Sequence, residues 1–221
     1  MKIQSILLAQ SIRLINISDF LSRVYLPDAS KLVAERYGFM RSPTFEQLNS
    51  PTGGVFEHGK FLLDARAVRI DSLHIYNNAL SAINRTSTDD TDAFLDDLME
   101  FAYKELDAQL DAPTACSYIS RLEVQAHMSF SSYFARLRPV EERITQEVSQ
   151  YGFSDVKMQF QMTGFIVYFD TAKLATPPVQ AFSIERRIQT PFEANVFFSQ
   201  APLKTSVHIA SLEELENILR S

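Results

Sequence analysis

The chain has little of what builds disulfide scaffolds, metal centres and membrane anchors. Its 221 residues include one cysteine, four histidines, six glycines and no tryptophan. The single thiol of Cys116 cannot form an internal disulfide or a cysteine-rich metal site, which favours a reducing compartment. No stretch approaches the ~20 apolar residues that cross a bilayer, and the short apolar start lacks the pattern of a signal peptide. The sequence therefore predicts a soluble cytoplasmic protein without a membrane partner.

Positive charge is also in deficit. The chain carries 21 Lys and Arg against 27 Asp and Glu, a formal net charge of -6. Such a balance argues against attraction of the whole surface to nucleic acid, although a local basic patch stays compatible with it. Apolar bulk is plentiful: 46% of the residues are hydrophobic, including 17 Phe and 8 Tyr. This composition is typical of a globular protein with one large domain or two small ones.

One tripeptide occurs twice in the same context, as Tyr37-Gly38-Phe39 and as Tyr151-Gly152-Phe153. Each copy follows a helical pattern and precedes strand patterns, and glycine accepts the positive φ that ends many helices. The order of elements in both halves is predicted to be β-α-β-β-α. We therefore expect an α+β fold with a largely antiparallel sheet and helices packed on one face. Residues 1–112 and 113–221 are then either two halves related by duplication or one compact domain.

Alternation and helical spacing place the individual elements. Asp28 is the expected N-cap of the helix that ends at Gly38. Ser87 or Thr88 is the expected N-cap of a second helix, over residues 88–110. Pro139 is expected in the first turn of a helix that ends at Gly152 and carries an apolar stripe. Ser211 and Glu214 have capping-box spacing before the last helix. Strands are expected at residues 12–17, 55–63, 68–76, 79–84, 118–128, 156–162, 165–169, 179–188 and 195–199.

Two of these strands have predicted positions in the sheet. The run 165–169 is apolar throughout, which is typical of a central strand. Residues 195–199 indicate a short edge strand, open to pairing with a strand of another subunit.

No motif for cofactor binding or catalysis stands out, so no cofactor is expected. Asp155-Val156-Lys157 has the acid-x-Lys form of metal-dependent nucleases, although roughly one such triplet is expected by chance in a chain of this composition. His58, Asp71 and His74 form a candidate metal site, with separate hydrogen-bonded histidines as the alternative. The acidic run Asp89, Asp90, Asp92, Asp96 and Asp97 indicates either a hard-metal site or a helix N-terminus.

The candidate binding residues are basic. Alternation places Arg186 on the inward face of its strand, where a guanidinium needs an acidic partner or an anionic ligand. Arg187, Arg121 and His127 are expected on a polar face of mixed charge with few aromatic side chains, unlike the stacking platforms that bind RNA. Nucleic-acid binding through the arginines stays open as the less favoured alternative.

These observations predict a non-enzymatic cytoplasmic interaction or assembly protein, a subunit of a homo-oligomer or of a multiprotein complex. The alternative is a metal-dependent hydrolase or nuclease acting on phosphoesters. That enzyme would use Asp155 and Lys157, or ligands drawn from His58, Asp64, Asp71 and His74.

Overall fold

The computed structural model describes residues 1–17, 25–48, 50, 53–108, 112–127, 134–151, 159–168, 170 and 179–220. The strands are β1 (Lys2–Leu14), β2 (Gly54–Leu63), β3 (Arg66–Tyr76), β4 (Ala79–Asn84), β5 (Ala115–Gln125), β6 (Gly164–Val167), β7 (Phe182–Arg186) and β8 (Val196–Ala201). The helices are α1 (Leu26–Tyr37), α2 (Phe45–Leu48), α3 (Thr88–Glu105), α4 (Arg138–Ser149) and α5 (Thr205–Arg220). These elements confirm the predicted α+β class.

All eight strands belong to one antiparallel sheet with the order β2-β3-β4-β1-β5-β8-β7-β6. Without the single-turn α2 and the 3-10 turns, each half follows the order β-α-β-β-β-α. The order predicted for each half was β-α-β-β-α, although the run 79–84, which forms the additional strand of the first half, was itself expected to be a strand. The first strands of the two halves, β1 and β5, pair at the centre with Gln10 opposite Ile119. From this pair outward, corresponding strands follow in the same order on both sides. The order of the strands is therefore symmetric about the β1–β5 pair.

Helices α1, α3 and α5 pack on one face of the sheet, over two unequal cores. In the first half, Tyr37 of α1 and Phe94 of α3 meet edge to face with ring centroids 4.9 Å apart. Among the described residues, this core contains 16 buried side chains. The second-half core contains six, centred on Leu122 of β5, Phe197 of β8 and Leu212 of α5. Helix α4 contributes no buried residue.

The helix ends show which local signals act as predicted. Gly38 has φ 57° and its N–H donates to the Ala34 carbonyl, which confirms it as the end of α1. Gly152 lies outside the described residues. Ser87 caps α3 by accepting a hydrogen bond from the Asp90 N–H. The N-cap prediction for Asp28 was wrong, because Pro27 is tolerated inside the first turn and the cap position falls on Tyr25.

Other boundaries were wrong for reasons of long-range structure. Strand β1 begins ten residues before the predicted 12–17, because two register shifts against β5 interrupt its alternation. Helix α3 ends at Glu105, and Asp107 follows in the left-handed region with φ 52°. Ser211 lies inside α5 and donates its hydroxyl to the Val207 carbonyl, so it caps nothing. Residues 159–162 form no strand, whereas 156–158 of that predicted strand lie outside the described part of the chain.

The predicted positions of two strands in the sheet were also wrong. Strand β8 pairs with β5 on one side and β7 on the other, so residues 196–201 are interior and unavailable to another subunit. The apolar β6 lies at the sheet margin, paired only with β7 within the described residues. Position in a sheet is set by pairing with distant strands, which the apolarity of a short run does not encode.

The N-termini of α3 and α5 meet above the central strands and cap each other. The Thr88 N–H donates to the Thr205 hydroxyl at 3.1 Å, and the Thr205 N–H donates to the Thr88 hydroxyl at 2.9 Å. Both threonines are buried. Two helix-terminal donors that water cannot reach are thus satisfied by residues 117 positions apart.

Replacing Thr88 by Val is expected to lower the free energy of unfolding by about 1–3 kcal/mol, because the buried Thr205 N–H loses its acceptor while the side-chain shape is kept. Urea denaturation measures the effect. Ser211→Ala, which removes a hydroxyl bonded only within α5, is the control and should change stability by less than about 0.5 kcal/mol. Equal stability of the Thr88→Val and wild-type chains would contradict the capping role.

Candidate functional site

The carboxylates of α3 bind neighbouring cations and hydroxyls of the fold itself. Asp92 accepts from Lys204 at 2.8 Å and from the Tyr118 hydroxyl at 3.2 Å. Asp97 accepts from the Tyr37 hydroxyl at 2.6 Å and from Arg36 at 2.9 Å. Further ion pairs join Arg66 to Asp90 and Arg13 to Asp96. The acidic run therefore fastens α3 to surrounding elements.

Asp90 shows how these contacts act on ionisation. Burial alone would raise the pKa of its carboxyl, but hydrogen bonds from Arg66 and Thr86 outweigh burial and lower the pKa. The carboxylate form is thus the one that the fold requires.

The candidate metal ligands of the first half contact other side chains of the protein. His58 is exposed on β2, where its Nδ1 is 3.2 Å from an Arg69 guanidinium nitrogen. Asp71 forms ion pairs with Arg69 and Arg85. His74 contacts the Ser72 and Tyr76 hydroxyls, and Asp64 occupies the β2–β3 turn with φ 48°. Within the described ranges, no three His, Cys, Asp or Glu side chains come together as a metal site would need.

The other catalytic candidates, Asp155 and Lys157, lie outside the described residues. The described chain does place a serine and a histidine in contact, a pair that the sequence spacing did not indicate. His208 Nδ1 is 2.5 Å from the Ser120 hydroxyl, and its Nε2 is 2.9 Å from the Ser199 hydroxyl. Ser199 donates its own proton to the Ser183 carbonyl. Ser199 therefore accepts from Nε2–H, and Nδ1 accepts from Ser120.

This triad is structural because His208 is fully buried between α5 and the sheet. A substrate has no access to it, and both ring nitrogens are occupied by hydroxyls. Burial lowers the pKa of His208 to about 4, since a charged imidazolium in the core would lose its hydration. The ring is a neutral part of the packing at physiological pH.

His208 makes stability depend on pH in a defined window. Below pH ~6.5 the unfolded chain takes up a proton that the folded chain accepts only near pH 4. The contribution of the neutral His208 to the free energy of unfolding is therefore fully present above pH ~6.5. This contribution falls by about 3 kcal/mol as the pH drops to 4. His208→Gln is expected to flatten this part of the stability curve, measured by urea denaturation at a series of pH values. Ser211→Ala, which removes no titratable group, should leave the slope unchanged; equal slopes for wild type and His208→Gln would refute the assignment.

Arg186 lies on the inward side of β7, opposite Phe197. Its guanidinium stacks over the Phe192 ring at 4.5 Å and donates to the Pro191 carbonyl. No carboxylate among the described residues forms an ion pair with it. Burial lowers its pKa, an effect that the nearby Glu193 opposes. Aromatic faces and a backbone carbonyl thus surround the cation where an acidic partner was expected.

The other basic candidates bind intramolecular partners and do not form one site. Arg121 Nε donates to Gln200 Oε1 at 2.7 Å on the sheet face opposite the helices. Arg187 pairs with Glu123 on the neighbouring part of that face. His127 lies beyond the end of β5, where its Nδ1 is 3.0 Å from the buried carboxylate of Glu216 in α5. Arg186 lies on the sheet face opposite to Arg121 and Arg187.

The two margins of the sheet differ, and this difference defines the candidate site. Strand β2 is protected in several ways. The Glu57 N–H donates to the Arg41 carbonyl at 3.0 Å, and the Glu57 carbonyl accepts from Met40 at 3.1 Å, so a second segment covers this stretch. His58 with φ 60° interrupts the regular strand, and Lys60 adds an exposed charge. Coverage, irregularity and charge are devices that keep foreign strands away from an edge.

Among the described residues, strand β6 shows none of these three protections, and it is only four residues long. Its sequence Gly-Phe-Ile-Val carries no charge. Ile166 is 70% exposed on the face opposite the helices, and Val167 is 57% exposed on the helix face. No described strand pairs along its outer side. An uncharged margin that exposes apolar side chains on both faces is a template for another strand.

A second apolar surface lies on the chain that leads into β6. Helix α4 exposes Val140 and Ile144 on the stripe that the sequence predicted to pack. Its other side holds the incoming segment, since Thr145 accepts from the Phe160 N–H at 3.0 Å and Glu141 accepts from the Met162 N–H. The corresponding helix of the first half, α1, buries Ala29 and Val33 in its core. The apolar stripe of α4 is therefore exposed, and no described residue buries it.

No family model matches the chain, and no curated protein or solved structure matches it significantly. Among the described residues, no helix is long and apolar enough to cross a membrane.

Proposed function

We propose that this protein is a non-enzymatic cytoplasmic interaction protein that takes up a strand of a protein partner along β6. The observation that carries the proposal is the contrast between the margins of the sheet. One margin is covered and charged at β2, whereas the other exposes uncharged apolar residues at β6. In strand addition, backbone hydrogen bonds supply affinity and exposed side chains supply specificity.

Helix α4 supports the same proposal. Its apolar stripe lies on the helix that holds the segment leading into β6, and it is exposed on the other side of that helix. Monomeric soluble proteins rarely expose large apolar patches, and where such a patch occurs it often marks an interaction site. A reducing compartment accords with the lone Cys116, which is exposed and unpaired.

The described geometry favours no enzymatic alternative. Acids of α3 are bound by Arg and Lys side chains, His208 is enclosed, and the first-half histidines join no cluster of three candidate metal ligands among the described residues. Metal-dependent hydrolysis therefore gains no observation beyond the sequence patterns that suggested it.

Replacing Ile166 by Lys is expected to release the partner. A lysine at this position places an unpaired charge against the incoming strand, which should weaken association at least about tenfold, or about 1.4 kcal/mol. The measurement is the native mass of the protein in extracts of cells that express it, relative to the 25.1 kDa monomer. Wild type should migrate above this mass and Ile166→Lys close to it.

Leu62→Lys is the matched control, because Leu62 is 67% exposed on the opposite margin. This variant should keep the native mass of the wild type. Thermal unfolding of both purified variants confirms that neither change acts by unfolding the chain. An effect of Leu62→Lys equal to that of Ile166→Lys, or a wild-type chain that is monomeric in the extract, would contradict the proposal.

A further inference from the structure

Arg186 differs from the arginines of the first half in lacking a described carboxylate partner. Each arginine that the structure describes in the first half forms an ion pair with an Asp or Glu, and Arg13 does so although it is buried. Arg186 forms no ion pair with a described residue, and the nearby Glu193 is exposed. A half-buried guanidinium on the inward face of β7 is thus left with its charge unpaired within the described chain.

The hydrogen bonds of Arg186 are also incomplete among the described residues. A guanidinium has five N–H donors. The Nη2 group donates to the Pro191 carbonyl, whereas the Nε is buried and has no partner. The Nη1 group is neither buried nor bonded to a described residue, so a ligand can reach it from solvent. Burial lowers the pKa of this arginine, because the cation has lost part of its hydration. Such a cation gains free energy when an anion binds it.

The shape of the site restricts how a ligand approaches. The Phe192 ring covers one face of the guanidinium, with its centroid 4.5 Å from Cζ, and the Phe197 centroid is 5.9 Å from Cζ. A ligand on this side therefore meets the edge of the guanidinium, where the N–H bonds point. Two oxygens in one plane match that edge and accept parallel hydrogen bonds, as carboxylates do with arginine.

Charge favours a carboxylate over a phosphate. Among the described residues, the ionised group that acts on the pKa of Arg186 is the acidic Glu193, and no second cation acts on it. Arg187 and Arg121 lie on the opposite face of the sheet. A phosphate monoester carries about 1.5 to 2 negative charges at pH 7. One arginine beside an acid, in a chain of net charge -6, balances a single negative charge and not two.

Apolar side chains beside the cation indicate what the rest of the ligand is. Phe197, opposite Arg186 in β8, and Ile184, two residues earlier in β7, are buried. Phe192 is only half-buried, and Ile188 is 86% exposed two residues after Arg186. A ligand whose carboxylate meets the guanidinium thus finds aromatic and aliphatic surface next to it, which favours an apolar group beside the carboxylate.

We propose that Arg186 binds the carboxylate of an apolar carboxylic acid, supplied by a small organic acid or by the C-terminus of a polypeptide. The edge of the guanidinium donates parallel N–H bonds to the carboxylate, and Phe192 packs against the apolar part. With one charged contact and a small apolar surface, the Kd is on the order of 1 mM for a ligand of a few heavy atoms. The site lies on the helix face of β7 and is distinct from the outer margin of β6.

Benzoate is the first probe, because it joins one carboxylate to one aromatic ring. Calorimetric titration into the purified full chain should give saturable binding with a Kd on the order of 1 mM. The unfolding temperature should rise with benzoate concentration, since a ligand that binds only the folded chain stabilises it. Sodium chloride of equal ionic strength is the reference. Inorganic phosphate that binds as tightly as benzoate, or no saturation by benzoate up to about 20 mM, would overturn the proposal.

Substitutions at residue 186 assign the binding to this side chain. Arg186→Gln keeps a planar amide but loses the charge, and should weaken benzoate binding at least about tenfold. Arg186→Lys keeps the charge without the planar fork and should weaken it several-fold. Arg187→Gln is the matched control, because this neighbouring arginine lies on the opposite face, and it should bind as wild type does. Each variant is compared with its own ligand-free unfolding temperature, so a loss of stability does not imitate a loss of binding. Equal affinity of wild type and Arg186→Gln would refute the assignment.

Two peptides distinguish the sources of the carboxylate. N-acetylated glycyl-phenylalanine is titrated once with a free C-terminal carboxylate and once as the amide. Tighter binding of the peptide acid than of benzoate identifies a polypeptide C-terminus as the ligand, whereas tighter binding of benzoate identifies a small organic acid. Equal binding of the peptide acid and its amide would show that the carboxylate is not recognised, and the proposal would fail.

Discussion

The antiparallel pairing of β1 with β5 is the constraint on which the rest of the structure depends. These strands have 13 and 11 residues and supply the centre of the sheet. Every other strand reaches the centre through one of them, β4 on the first side and β8 on the second. Their register also determines where α3 and α5 begin. Helix α3 follows β4, which pairs with β1, and helix α5 follows β8, which pairs with β5.

A buried polar layer holds the helices to this central pair. Ser11 of β1 contacts the Thr91 hydroxyl of α3 at 2.7 Å, and Ser120 of β5 contacts His208 of α5. The two contacts occupy corresponding places in the halves, with the reciprocal threonine caps between them. Such groups tolerate little displacement, since a buried donor or acceptor without a partner is costly. These hydrogen bonds therefore restrict the positions of α3 and α5 on the sheet more than apolar packing alone would.

Sequence patterns predicted the class of the fold and much of its local structure. The strand over Ala79–Asn84, the Ser87 cap and the Gly38 helix end follow from interactions within a few residues, and the structure agrees. Whatever depends on distant pairing was missed: the bulges in β1, the interior place of β8 and the mutual capping of Thr88 and Thr205. The same limit applies to the candidate site. The apolar run over 165–169 was visible, but only the sheet order shows that it lies at a margin.

The described parts of the two halves differ in the number of side chains that their cores bury. Sixteen buried side chains support the first half among the described residues, whereas six support the second, and α4 adds none. Cooperative units with few buried contacts open at a lower free energy than the whole molecule does. A ligand that binds β6 only in the folded chain would stabilise β6 and β7 by mass action. The lifetime of the second half would then be set by the concentration of its occupant as much as by its own sequence.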